Sequence, residues 1–399
     1  MKNIVLITKD ALPCGYLPVY GNTYWSTPHM DELAAKGTVF HRHYTVAPST
    51  FMAFTSMATG IYPYQTDRKY YRNESSLNGS TIFDRLYEQG YSCHIAWDTF
   101  YTDLVAEHFK AEGNHTTVHD IKTIREKPHS HIKGVFDDLS KQEEETVQAL
   151  SLIDGLFRTV SEEERPVVLW LHIPHVIKGQ NGYGSDVEAF DHIIGLARKH
   201  FADDEIAFSA DHGHMDGWWG KYNYGFDVHD SAIRIPLVTP RLEGLERVDD
   251  LTVNAHILKM LAEEKIYRED YVISDTAYYV QPKREIAIIR EEYKLIYSKQ
   301  NKRYSLYDLS WDPQEKHNLY YAEYYDVDRE IWSSTNQRFF YPHWEKAHGA
   351  ARDLETILSQ VWRHGTFTEE SFEKFVARAK AYYRKLVKYR LRKRVPKVK

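Results

Sequence analysis

Cysteine is scarce in this chain: only Cys14 and Cys93 occur among its 399 residues. Neither stands in a metal-binding spacing, so a disulfide framework and a thiolate metal knot are both excluded, and a reducing cytoplasm is the expected setting. Long apolar runs are missing too. None approaches the roughly 18 residues of a membrane span, and 42% hydrophobic with 27% charged residues describes a soluble globular protein. The short run at Met1–Thr8 lacks the small-residue cleavage site of a secretory leader and reads as a first buried strand. No internal repeat and no low-complexity tract is found.

Acidic residues are absent from the last 26 positions, Lys374–Lys399, which carry twelve Lys or Arg; a net charge of −6 for the whole chain therefore leaves −18 on the rest. Phe375, Ala379, Tyr382, Leu386 and Tyr389 fall near one helical face of this tail. A basic amphipathic helix suits an anionic membrane surface, the acidic body of the same chain or nucleic acid, with nucleic acid the least favoured. The expected location is cytoplasmic, with the tail as a candidate peripheral contact at the inner membrane face.

What is present reads as α/β. Ile4–Ile7 is a continuous apolar run, as in a parallel strand covered on both faces, and it ends at Thr8-Lys9-Asp10. Thr27–Gly37 has a Thr cap, Pro at the first helical position and Gly past the end. Further strands are expected over 38–44, 93–97, 166–171 and 205–210, and helices over 82–89, 143–160, 186–201 and 253–264. The alternation predicts a mostly parallel, doubly wound sheet with helices on both faces. Short runs at 285–289, 293–297 and 304–309 predict a small antiparallel sheet. Residues 100–140, His-rich and aperiodic, read as a surface excursion or lid; 320–347 reads as aromatic and irregular, followed by two helices. The expected units are a catalytic α/β domain over 1–268, an antiparallel subdomain over 269–320 and an extension over 321–399.

Ala47–Gly60 places hydroxyls at a helix start. Pro48 closes an extended segment, Ser49 or Thr50 can cap the helix, and Gly60 suits the left-handed position after it. Free N–H groups and the dipole there favour an anionic ester. Three strands end on acid-base or metal-capable residues: Asp10, His172 or His175, and Asp211 with His212. Ligand sites in open α/β sheets form beyond the carboxyl ends of the strands, so these residues are expected to meet beside Thr50.

The motifs, in order, are the strand ending in Asp10, Val19-Tyr20-Gly21, TPHMDELAAKG from Thr27, and Met57-Ala58-Thr59-Gly60-Ile61-Tyr62-Pro63. His172-Ile173-Pro174-His175, Ser209-Ala210-Asp211-His212-Gly213, Ile233-Arg234-Ile235-Pro236-Leu237, KLIY and YDLSWDPQEKHNL follow. Over about residues 2–320 this resembles the sulfatase branch of the alkaline phosphatase superfamily. The resemblance implies a divalent ion, Mg, Ca, Mn or Zn, on Asp10, Thr50, Asp211 and His212, with Thr50 as nucleophile. It also implies substrate contacts for His175 and Lys221. His229 is a candidate second metal ligand, general acid or structural contact, and His214 has weaker support. Residues 218–226, rich in aromatics, are expected to line a sugar or lipid pocket or to belong to the core.

The chain departs from that pattern. With Thr59-Gly60 aligned, the family's Cys-x-Pro-x-Arg frame falls on Thr50, Met52 and Phe54, so no formylglycine can form. The second opening Asp is Ala11, and Trp97-Asp98 stands where a lysine is usual. A Thr in this slot resembles the phosphodiesterase and phosphotransferase relatives. The expected function is a metal-dependent hydrolase of a small-molecule, sugar or lipid ester, phosphate favoured over sulfate. A phosphoryl transferase and a non-catalytic binding protein are the competing readings.

Overall fold

Strand β1 (Ile4–Lys9) is buried along its whole length at the heart of an eight-stranded sheet. The computed structural model describes residues 1–63, 81–97, 115–121, 139–173, 183–215, 217, 224–276, 284–298, 302–320, 323–325, 330–332, 338–341 and 343–364. After β1 come α1 (Pro28–Lys36), β2 (Thr38–Phe40), β3 (His43–Tyr44), α2 (Thr50–Thr59), α3 (Ile82–Glu88) and β4 (Ser92–Trp97). Next are β5 (Thr116–Asp120), α4 (Leu139–Ser161), β6 (Val167–Ile173), α5 (Tyr183–Ala197), β7 (Ile206–Ala210), α6 (Asp230–Ile233) and β8 (Leu237–Thr239). The sheet runs β5-β4-β6-β1-β7-β8-β2 and ends on β9 (Arg247–Val248). Its first five strands are mutually parallel, and β8 is antiparallel to both neighbours.

The unbroken apolar run of β1 follows from burial on two faces. Ile4 and Leu6 join a core with Phe51, Phe54 and Met57 of α2 and Phe83 of α3. Val5 and Ile7 join another with Leu33 of α1, Phe157 of α4 and Phe190 of α5. Helices thus cover both faces, as expected of a doubly wound sheet.

Three stretches of the first 270 residues differ from expectation. The segment 38–44 is two strands in different sheets, since β3 pairs with β10 (Thr252–Val253) and β2 with β8 and β9. The expected helix over 253–264 begins with β10 and a single 3₁₀ turn, leaving α7 (Ile257–Glu263). Within the expected lid, β5 instead extends the sheet edge beside β4; apart from residues 115–121, that stretch up to Asp138 lies outside the described residues.

The expected small antiparallel sheet forms from β11 (Val272–Asp275), β12 (Glu285–Arg290), β13 (Tyr293–Ser298) and β14 (Arg303–Asp308). Beyond it, β15 (Glu323–Tyr325), β16 (Glu330–Trp332) and β17 (Arg338–Phe340) make a three-stranded antiparallel sheet where an irregular segment was expected. Helix α8 (Trp344–His364) packs Ala347, Ala351, Leu354 and Leu358 with Ile288 and Leu295 of the subdomain sheet. The basic tail lies outside the described residues. Among the described residues no helix is long and apolar enough to cross a membrane.

Candidate active site

Neighbouring parallel strands deliver the site. The register pairs Thr8 with both His172 and Ser209, so the chain leaves β1 at Asp10 and β7 at Asp211 side by side. The Asp10 N–H donates to Ile173 O at 2.9 Å. Ala11 then adopts φ 55°, a left-handed turn unusual for a residue with a Cβ, and its N–H donates to Asp211 Oδ1 at 3.0 Å. Where a second carboxylate was expected from the resemblance, the chain supplies a backbone donor that orients Asp211.

On the β7 side, the His212 N–H donates to Asp211 Oδ1 at 2.8 Å. Gly213 is required here, because a Cβ would stand 2.1 Å from Ser231 O. His212 Nδ1 lies 2.8 Å from Gly213 O. A carbonyl only accepts, so Nδ1 carries the proton and Nε2 keeps its lone pair. That Nε2 is 3.7 Å from Asp10 Oδ1, 3.5 Å from Asp211 Oδ2 and 3.1 Å from Thr50 Oγ1.

Thr50 is the first residue of α2. Ser49 is the N-cap in extended conformation, φ −152° and ψ 139°, and Gly60 closes the helix at φ 72° with its N–H on Ser56 O at 2.7 Å. The helix therefore points its N-terminus, with the positive end of its dipole, at the strand ends.

Asp10, Asp211 and His212 are buried, and one donor atom from each lies within 4.8 Å of the others. Burial above all, with the neighbouring Asp10 charge, pushes the Asp211 carboxyl above the usual carboxylate range; His212, the Ala11 N–H and the nearby Thr50 hydroxyl act against this. Asp211 Oδ2 is buried without a hydrogen bond among the described residues. Two carboxylates and an imidazole nitrogen with that geometry fit a hard or borderline divalent cation.

Beneath the site, the Trp170 indole donates to Thr8 Oγ1 at 2.9 Å, and Thr8 Oγ1 lies 3.0 Å from His172 Nδ1. Indole can only donate, so Thr8 Oγ1 accepts from Trp170 while also hydrogen bonding to His172 Nδ1, which fixes the His172 ring. Phe54, one helical turn after Thr50, packs edge-on against this ring with 4.4 Å between centroids. His172 is thus a floor of the site.

His229 has partners of its own. Its Nδ1 hydrogen bonds to Asp227, its N–H donates to Asp227 Oδ1 at 2.8 Å, and its Nε2 is 3.4 Å from the Tyr307 hydroxyl. Burial opposes charging this ring, but Asp227 and Glu315 outweigh it and raise the His229 pKa. With His214, Arg234, Cys14 and Glu315 it lines a cleft of about 390 Å³ between the β1 exit, the α6 region and the antiparallel subdomain. Lys294, fully buried on β13, bridges Asp230 at 2.9 Å and Glu315 at 2.7 Å and so fixes one wall of that cleft.

Asp10, Asp211, His212 and Thr50 are therefore brought together, while half-buried His229 is held by Asp227 and Tyr307 and lines the cleft. His175 and Lys221 lie outside the described residues, as does most of the aromatic stretch 218–226. Within it Tyr224 stacks obliquely near His212, 4.5 Å between ring centroids. Sequence reasoning missed Ala11 and Gly213 as contributors, although a non-glycine residue at the first strand exit and a glycine after Asp-His were visible signals.

The Sulfatase family model matches residues 2–273. The chain belongs to the sulfatase family. Among sulfatase relatives it is 37% identical over 65 residues to an N-acetylgalactosamine-6-O-sulfatase of Bacteroides thetaiotaomicron, covering 16% of this chain and 13% of that protein. It is 34% identical over 114 residues to an arylsulfatase of Clostridium perfringens, covering 29% and 19%. The matched stretches thus span under a fifth of these relatives. In fold it is similar to a 2-O GAG sulfatase, with TM-score 0.65, 15% identity and coverage of 90% of this chain and 92% of the other. It is also similar to the phosphonate monoester hydrolase of Agrobacterium radiobacter, with TM-score 0.61, 16% identity and coverage of 90% and 96%. Sulfatase-family membership accords with the α/β sheet and the small antiparallel C-terminal sheet.

Proposed function

We propose that the chain is a metal-dependent ester hydrolase that acts through Thr50 and prefers phosphate to sulfate. One observation carries the reading: Thr50 Oγ1 lies 3.1 Å from His212 Nε2, within a buried cluster of two carboxylates and that imidazole. Asp10, Asp211 and His212 would hold a divalent ion. Such an ion supplies Lewis acidity and makes a nearby hydroxyl more acidic at neutral pH.

The remaining work falls to the chain. Thr50 Oγ1 attacks phosphorus, the bond to the alcohol oxygen breaks, and the alcohol leaves with a proton. Water then cleaves the Thr50–phosphoryl bond, releasing phosphate and restoring the hydroxyl. The N-terminus of α2 stabilises negative charge on the non-bridging oxygens as they develop it. Strand exits on β1 and β7 hold the carboxylates where a rearrangement would cost hydrogen bonds, so the geometry is preorganised.

Phosphate is favoured because the positions aligned with the family's sulfate-handling Arg and Lys hold Phe54 and Trp97, both fully buried aromatics. The likeness to a phosphonate monoester hydrolase accords with this. One similar structure is a complex with D-Glucosamine-2-N, 6-O-disulfate as its substrate, which supports a sugar as the alcohol. The test is turnover of nitrophenyl phosphate, phosphodiester, phosphonate and sulfate esters by the metal-loaded protein. The phosphorus esters are expected to be cleaved faster, and a strong preference for sulfate would overturn the assignment.

A further inference from the structure

Helix α2 begins without the cap that its sequence offers. Ser is among the best N-cap residues because its hydroxyl accepts an N–H of the first turn. In α3 of this chain Thr81 does so, taking the Asp84 N–H while the Asp84 carboxylate takes the Thr81 N–H in return. Ser49 holds the capping position of ten-residue α2 with capping backbone angles, yet its hydroxyl makes no capping bond. The side chain is only 3% exposed, and its Oγ has no hydrogen-bond partner among the described residues.

A buried hydroxyl without a partner is destabilising, and in native proteins it commonly marks a place that something else completes. Here it stands at the rim of a helix N-terminus, one residue before a hydroxyl held 3.1 Å from the imidazole of a buried metal-type cluster. First-turn N–H groups that a capping Ser49 would have covered are not covered by it. Both features call for an acceptor carrying negative charge. Further along the same face, the residue one turn after Thr50 is Phe54, packed into aromatic core, so neutral donors must do what a cation would otherwise do on that side.

We infer that Ser49 is a further catalytic residue, whose Oγ–H donates to a non-bridging oxygen of the tetrahedral oxyanion transferred to Thr50. The inference rests on the reading of Thr50 as the attacking group. The oxyanion class is a phosphoryl group or its mimics, because three equatorial oxygens can be shared among the hydroxyl, the helix N-terminus and a divalent ion. Ser49 forms and breaks no bond to phosphorus; it supplies a donor whose partner gains charge as the ester bond breaks.

The test is Ser49→Ala in the full-length, metal-loaded protein. Three quantities are read: melting temperature without anion, its rise on adding orthovanadate or inorganic phosphate, and kcat and KM on nitrophenyl phosphate. Without anion the variant is expected to melt at or above the wild-type temperature, because a hydroxyl lacking a partner is removed. The vanadate concentration needed for the wild-type rise in melting temperature is expected to grow by about tenfold or more, with kcat/KM falling in step, and Ser49→Thr to restore much of both. Ser56→Ala is the matched control, another buried serine of α2 without a hydrogen-bond partner among the described residues, two turns on; it is expected to leave the vanadate response unchanged.

A lower melting temperature with unchanged anion response would make Ser49 an ordinary packing residue and overturn the inference. Equal loss in Ser56→Ala would overturn it as well, by assigning the effect to the helix. Failure of the Thr50 reading is distinguishable: Thr50→Ala would then turn over normally, whatever Ser49→Ala does to the phosphate-induced rise.

Discussion

The rings of Phe54 and Trp97 stack 5.4 Å apart and 12° from parallel. Phe54 also meets Trp170 edge-on, with 4.8 Å between centroids. By the resemblance read from the sequence, these two positions correspond to an arginine and a lysine; here they hold aromatics that touch. One cation restored alone would face a ring inside a dry core.

Truncating this stack is predicted to be costly. Phe54→Ala should lose about 3–5 kcal/mol, the range for emptying a large aromatic site in a packed core. Phe54→Arg should lose at least as much, since its charge would be buried against Trp97 and Trp170. Urea unfolding monitored by tryptophan fluorescence measures both. A stable Phe54→Arg protein with new sulfate-ester turnover would show that the slot still accepts a cation.

Asp211 yields a prediction about metal. Burial and the Asp10 carboxylate raise its pKa, so without a cation the ionised form is disfavoured and the fold bears the strain. Asp211→Asn is therefore expected to melt above wild type in excess chelator. Adding Mg or Mn should then stabilise wild type, by about 2.7 kcal/mol at one hundred times the dissociation constant, and leave the variant nearly unmoved. Equal metal response in both proteins would remove Asp211 from the ion site.

The Thr50 hydroxyl is predicted to be indispensable. Thr50→Ala removes the nucleophile while leaving the α2 start, Asp10 and Asp211 in place, so turnover of the best ester should fall by about a thousandfold or more. Thr50→Ser keeps an oxygen on the same Cβ and should retain measurable activity. Mass spectrometry of acid-quenched wild type during turnover should find one phosphoryl group on the peptide containing Ser49 and Thr50. A phosphopeptide that persists in Thr50→Ala would move the attack to Ser49.

Much of this was legible in the residues because the strongest signals were local. The run Ile4–Ile7 required cover on two faces, and the structure supplies helices on both. Pro48 and Gly60 marked the ends of α2 through backbone restriction alone. Convergence of Asp10, Asp211, His212 and Thr50 followed from strand direction. What escaped depended on partners distant in sequence. Thr38 to Tyr44 has one composition, yet its two halves pair with different strands. The strands β15 to β17 are three residues each, too short to show alternation. Two adjacent hydroxyls do not show which one takes the capping position; the structure puts Ser49 there and sets Thr50 3.1 Å from His212, 162 residues away. His229 was legible as unusual, but its attachment to Asp227, Tyr307 and Glu315 required the packing of the antiparallel subdomain.

That attachment predicts a pH dependence of stability. Burial lowers the His229 pKa, but the Asp227 and Glu315 carboxylates overcome it, so the folded value lies above the ordinary 6.5. Lys294 opposes the rise, and Asp230 is engaged by Lys294. A histidine raised on folding contributes stability that is complete below the unfolded pKa and lost as pH climbs through the folded one. Each unit of elevation corresponds to about 1.4 kcal/mol. Urea midpoints of wild type should therefore fall between about pH 6 and pH 8 more steeply than those of His229→Asn. Asp227→Asn removes the closest carboxylate and leaves burial to dominate, so its slope through the same interval should flatten or reverse. Parallel slopes in all three proteins would mean that His229 titrates as it does in the unfolded chain, and that the Asp227 contact adds orientation without charge.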